Sequence, residues 1–75
     1  MINGKKIREF RVSLGYTSRD IEKLTKKGRY PTAISKSYLE ELERGDKTNP
    51  SLQKVEVLAR ILCCKLDDLI VKVEY

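Results

Sequence analysis

Apolar residues recur at helical spacing along nearly the whole chain. Ile7, Phe10 and Leu14 stand at i, i+3 and i+7, which places them on one face of a helix and predicts a first helix over 5–14. Gly15 follows as its C-terminal cap, because glycine enters the left-handed conformation without steric cost. Thr17 stands at an N-cap position with Asp20 three residues on, a variant of the capping box. Ile21 and Leu24 then form the inward stripe of a second helix over 17–27.

Residues 28–34 combine glycine, proline and hydroxyl side chains and read as a loop, with Pro31 biasing Tyr30 toward extended backbone. Ser35 is the expected N-cap of a third helix over 35–44, with Leu39 and Leu42 inward and Gly45 closing it. A polar turn over 46–50 leads to Ser51, which caps a fourth helix over 51–62. That helix carries Leu52, Val55, Leu58, Ala59 and Leu62 on one face, and Leu66, Leu69 and Ile70 mark a last short helix over 66–71. The tail 71–75 alternates apolar and polar residues, which suits either a continuation of that helix or a short extended edge. The pattern predicts a single all-α domain over 1–75 built from five helices.

Length agrees, since 75 residues make one domain that buries only about 60% of its unfolded surface. Thirty-six percent charged and 40% apolar residues fit a globular domain rather than a disordered chain. No apolar run approaches the ~20 residues needed to span a bilayer. The opening Met-Ile-Asn-Gly-Lys-Lys leads into a charged amphipathic segment rather than a signal peptide, so a cytoplasmic location without membrane attachment is expected. Charge is unevenly placed: residues 1–36 hold ten Lys/Arg against three acids, a net of +7, and residues 37–75 six against eight, a net of −2. A basic half suits either a face turned toward a polyanion or a solvated lysine-rich surface.

Cys63 and Cys64 are adjacent and the chain has no histidine, so a zinc site lacks ligands. The two thiols are expected as small apolar fillers at a helix end. With no histidine, nucleophile elbow, phosphate-cradling glycine motif or metal spacing, the chain is not expected to be an enzyme or to carry a cofactor.

Leu14-Gly15-Tyr16-Thr17, Leu42-Glu43-Arg44-Gly45, Asn49-Pro50-Ser51-Leu52, Leu58-Ala59-Arg60-Ile61-Leu62 and Leu66-Asp67-Asp68-Leu69-Ile70 follow one another in this order. In that succession the chain resembles the Cro/CI-type, or Xre, family of helix-turn-helix proteins. Lys36-Ser37-Tyr38-Leu39, followed by Glu43-Arg44 and Thr48-Asn49-Pro50-Ser51, is similar to the SinR-like members of that family. The resemblance implies a phage-repressor-like five-helix bundle. It implies a transcriptional regulator, expected as a repressor, that binds double-stranded operator DNA as a dimer. An antitoxin or anti-repressor acting mainly through a protein partner is the other function open to this fold. One departure stands out: residues 26–34 lengthen the connection after the second helix by roughly seven positions, at little entropic cost. Lys26, Lys27 and Arg29 of that excursion either reach a flanking phosphate or simply face water.

In such a fold the third helix enters the major groove with its first turn toward the base edges. The resemblance picks out Lys36, Ser37 and Glu41 as base-reading residues. Lys36 suits the guanine O6 and N7 acceptors, Ser37 donates or accepts, and Glu41 accepts from the cytosine amino group; Glu40 and Glu41 also read as ordinary helix surface. Thr17 and Ser18 at the start of the second helix, and Ser35, Tyr38, Arg44, Lys47 and Asn49 around the third, are the expected backbone contacts. Tyr38 suits a core rim equally well, and Asn49 suits turn initiation before Pro50. Arg11 and Glu43 match positions that form a structural ion pair in the family. Dimer pairing is expected near the C-terminus, where Leu66, Ile70, Val71, Val73 and Tyr75 concentrate apolar surface.

Overall fold

The computed structural model describes residues 2–71. Five helices follow in order among them: α1 (Gly4–Ser13), α2 (Ser18–Lys27), α3 (Lys36–Arg44), α4 (Leu52–Ile61) and α5 (Leu66–Leu69). The all-α, five-helix architecture expected from the apolar spacing is present. Its helix starts are set by local chemistry. Asn3 Oδ1 accepts from Lys6 N (3.2 Å), Ser35 Oγ from Tyr38 N (3.1 Å) and Ser51 Oγ from Lys54 N (3.3 Å). Thr17 and Asp20 form a reciprocal box, with Thr17 N donating to the Asp20 carboxylate at 2.8 Å and Asp20 N donating to Thr17 Oγ1 at 3.1 Å. Each satisfies N–H groups that a helix leaves without internal partners.

The core is built on Ile7, Ile21, Ile34, Leu39, Leu42, Leu58 and Leu69, all without solvent contact, with Ile2, Val55, Val57, Ala59, Ile61 and Leu62 completing it. α3 lies against both α1 and α2, while α5 packs on α1 and α4. At the crossing of α1 and α3 the backbones nearly touch: a Cβ on Gly4 would run into the carbonyl oxygens of Leu42 and Glu43. Only glycine fits there. The N-terminal segment is then sewn across the bundle, with Ile2 N donating to Thr48 O (2.8 Å) and Asn3 N to Leu69 O (2.7 Å).

Residues 28–34 run along the edge of the bundle, with Tyr30 packed against the core, and re-enter it at Ile34. Thr25, a polar side chain in the core, accepts the Ile34 N–H at 3.0 Å and donates to the carbonyls of its own helix. Ile34 fills the core immediately beyond. Tyr30 lies across Gly28, where a Cβ would meet its ring at 2.6 Å. The long connection is therefore pinned at its exit, one residue before the cap of α3. Lys26, Lys27 and Arg29 remain exposed on its outer side.

Several expectations are corrected. Leu14 is exposed because it is the C-cap of α1, past the last turn that faces the core. Leu24 is exposed because α2 meets α3 along its Ile21 and Thr25 side, an i, i+4 line rather than i, i+3. Leu52 opens α4 and projects beyond its packing neighbours, while Val57 and Ile61 are buried instead. The fifth helix stops at Leu69, short of residue 71, because Ile70 turns extended and bridges antiparallel to Ile2. Cys63 is exposed rather than a filler. It stands just past the C-cap of α4 at φ +55°, a conformation that costs an L residue about 1 kcal/mol. Cys64 is half-buried, and burial pushes its thiol pKa up. Val73 and Tyr75, named above for pairing, lie outside the described residues.

Candidate nucleic-acid interface

α3 is anchored from behind and free in front. Leu39 and Leu42 hold it in the core, while Lys36 and Ser37 in its first turn are exposed and Tyr38 and Glu41 half-buried. The residues 28–34 leave that turn uncovered.

At the far end of α3 stands a two-pronged, nearly buried ion pair. Arg11 Nε and Nη2 donate to the two Glu43 carboxylate oxygens at 2.7 and 2.8 Å, and Nη1 donates to Tyr16 O at 2.8 Å. The side chains are only 13% and 8% exposed. Paired with Glu43, the guanidinium has its pKa raised further above the ordinary arginine value. One arginine thus ties α1, the α1–α2 turn and the end of α3. Such a buried pair fixes an arrangement more than it adds net stability.

The solvent face of α3 is rich in charge, and each cation has a carboxylate. Lys36 Nζ meets Glu40 at 2.6 Å, Lys47 Nζ meets Glu41 at 3.3 Å and Arg44 Nε meets Asp46 at 2.9 Å. Hydrogen bonding from Lys36, reinforced by the charges of Lys36, Arg44 and Arg11, holds the Glu40 carboxyl below its usual range. Tyr38 lies between two ammonium groups, Lys47 at 4.8 Å and Lys54 at 4.6 Å from its ring centre. Lys54 also donates to Ala33 O at 3.2 Å, so it spans from α4 to the residues leading into α3.

Two clusters result. Tyr38, Glu41, Lys47 and Lys54 are joined by the Glu41–Lys47 ion pair and the two ammonium–ring contacts, while Lys36 is tied to Glu40 and Glu22 and Ser37 is exposed beside it. Ser18 and Arg44 line a notch between α1, α2 and α3 together with Arg8 and Glu40. Thr17 and Ser35 stand at the two helix starts as caps. Asn49 borders a different hollow, with Ile2, Pro50, Leu52 and Ile70. Sequence reading missed Arg8, Lys54 and Glu22, the last of which accepts the Lys36 N–H at 2.9 Å. Their spacing in the chain marks them only as helix surface; tertiary packing alone brings them to α3.

Two successive helices, the second presented outward by leucines and bordered by lysine and arginine, make the arrangement of a helix-turn-helix domain with a lengthened connection. A family model described as helix-turn-helix matches residues 7–69, and the chain belongs to that family, the Cro/CI-type, Xre-like group of DNA-binding transcription regulators. No curated protein and no solved structure matches the chain. Among the described residues no helix is long and apolar enough to cross a membrane.

Proposed function

We propose that the protein is a sequence-specific repressor that reads the major groove of double-stranded DNA with the opening turn of α3. The observation that carries this reading is the contrast within α3 itself: Leu39 and Leu42 fully buried, Lys36 and Ser37 exposed one turn away. Lys36 and Ser37 face base edges and Glu41 accepts from an exocyclic amino group. Tyr38, flanked by Lys47 and Lys54, and Ser18 with Arg44 and Arg8 grip the phosphates on either side. Thr17 contributes through the α2 start it caps, and Ser35 by fixing the opening turn of α3 through the bond it accepts from Tyr38 N. Asn49, beside the Ile2–Ile70 hollow, is the least supported of these contacts.

One such domain covers a half-site, and two-fold pairing doubles the contacts. Ile70 and Val71 are 39% and 42% exposed at the C-terminal end, next to Leu52 at 64%, which supports pairing of two copies there. Leu66 is packed against the core and contributes little to such a surface. Selection of bound sequences from random duplex DNA, repeated at two salt concentrations, tests the proposal. The expected product is an inverted repeat with half-sites about one helical turn apart, and an affinity that falls with salt by roughly 0.9 log units per phosphate contact. Recovery of no preferred sequence refutes it.

A further inference from the structure

We propose that Glu22 is a specificity-determining residue of this surface: its carboxylate, held on the first backbone N–H of α3, turns phosphate away from the opening turn and leaves base edges as the partners accepted there. The inference rests on the DNA-reading role of α3 proposed above.

A helix start normally offers free N–H groups and the positive end of the dipole, which together attract any phosphate. At α3 that offer is largely withdrawn. Ser35 Oγ takes the Tyr38 N–H at 3.1 Å, and Glu22 Oε2 takes the Lys36 N–H at 2.9 Å. Ser37 alone in the first turn keeps an N–H with no acceptor among the described residues. The first turn of α3 contains no acidic residue of its own. The negative charge comes from α2, fourteen positions earlier, across the 28–34 excursion. α4 has no such arrangement: Ser51 caps it and its first turn is free of acids.

The same logic runs along the rest of the face. Glu40, Glu41 and Asp46 pair with Lys36, Lys47 and Arg44, so those cations reach a phosphate only by exchanging a carboxylate partner for it. A carboxylate at a groove-facing turn is tolerated opposite the amino groups of cytosine or adenine and repelled elsewhere. Glu22 therefore lowers affinity for wrong registers more than for the right one.

The test measures binding of the full chain to its selected duplex and to a scrambled duplex, for wild type, Glu22→Gln and Glu22→Asp, over a range of salt. Glu22→Gln keeps an oxygen for the Lys36 N–H and removes the charge. Its affinity for scrambled duplex is expected to rise about two- to fivefold, as fits one exposed like-charge contact. The ratio of selected to scrambled affinity falls accordingly. Glu22→Asp retains the charge and stays nearer the wild-type ratio. A purely structural cap would shift the melting temperature and leave the ratio alone. An unchanged ratio in Glu22→Gln, or a larger loss in Glu22→Asp than in Glu22→Gln, overturns the inference while leaving the regulator reading intact. A wild type that binds both duplexes equally overturns the regulator reading and this inference with it.

Discussion

The two ends of α3 are made differently. Its C-terminal end is locked: Glu43 is held by both arms of Arg11, Gly4 lets α1 press against the Leu42 and Glu43 carbonyls, and Gly45 closes the helix at φ +84°. Its N-terminal end is held more lightly, by a serine cap, one carboxylate, the Thr25–Ile34 pin behind it and the Lys54 bond to Ala33 O, and Lys36 and Ser37 face water. Rigidity at one end is what gives geometric meaning to exposure at the other. The opening turn proposed to read bases must sit within a fraction of an ångström of its pose, and the locked end supplies the reference frame without occupying that proposed surface.

The largest break in this contrast comes from the locked end. Arg11→Ala leaves the buried Glu43 carboxylate uncompensated and is expected to cost about 3 kcal/mol. For a domain of this size that lowers the melting temperature by roughly 10 to 20 °C, with DNA binding lost only in step with folding. An unchanged melting curve in calorimetry refutes the structural role. Gly4→Ala follows, at about 2 kcal/mol or more, because the new methyl meets backbone rather than a movable side chain; chemical denaturation measures it. At the reading end, effects fall on binding instead. Lys54→Ala is expected to keep stability within ~0.5 kcal/mol and to shallow the salt dependence of DNA affinity by about one contact. The smallest effect is in acid. Asp20, hydrogen-bonded by the Thr17 N–H and hydroxyl, and Glu40, hydrogen-bonded by Lys36, both have carboxyl pKa values lowered by folding. The folded state then holds fewer protons, so their stabilisation is complete above the ordinary carboxylate range and lost as pH falls through the lowered values. Asp20→Asn and Glu40→Gln should lower the melting temperature slightly at neutral pH and leave it little changed in acid, which flattens the decline below about pH 4.

The asymmetry also explains what the chain reveals on reading. Thr17, Ser35, Ser51 and Gly45 act on N–H and C=O groups within a few residues, so helix starts and stops are visible in the sequence. Leu39 and Leu42 are visible for the same reason: one face, one period. Periodicity fails where a face runs past its neighbours, which is why Leu14, Leu24 and Leu52 end exposed and Thr25 ends buried. The Arg11–Glu43 pair was legible only through family resemblance, since nothing local joins positions 32 residues apart. Glu22, Lys54 and Arg8 were not legible at all. Each sits on a polar helix face that looks like solvated surface until tertiary packing sets it beside α3.

The most direct measurement selects preferred duplexes separately for wild type and Lys36→Ala and compares the recovered sequences position by position. A lysine that reads a base edge predicts the same fold and melting temperature for both proteins. It also predicts loss of preference at one base pair per half-site, with affinity for the wild-type sequence reduced by about 1 to 3 kcal/mol. An identical preference in the variant, or a uniform weakening across all sequences, would contradict the assignment of the α3 opening turn as the reading surface.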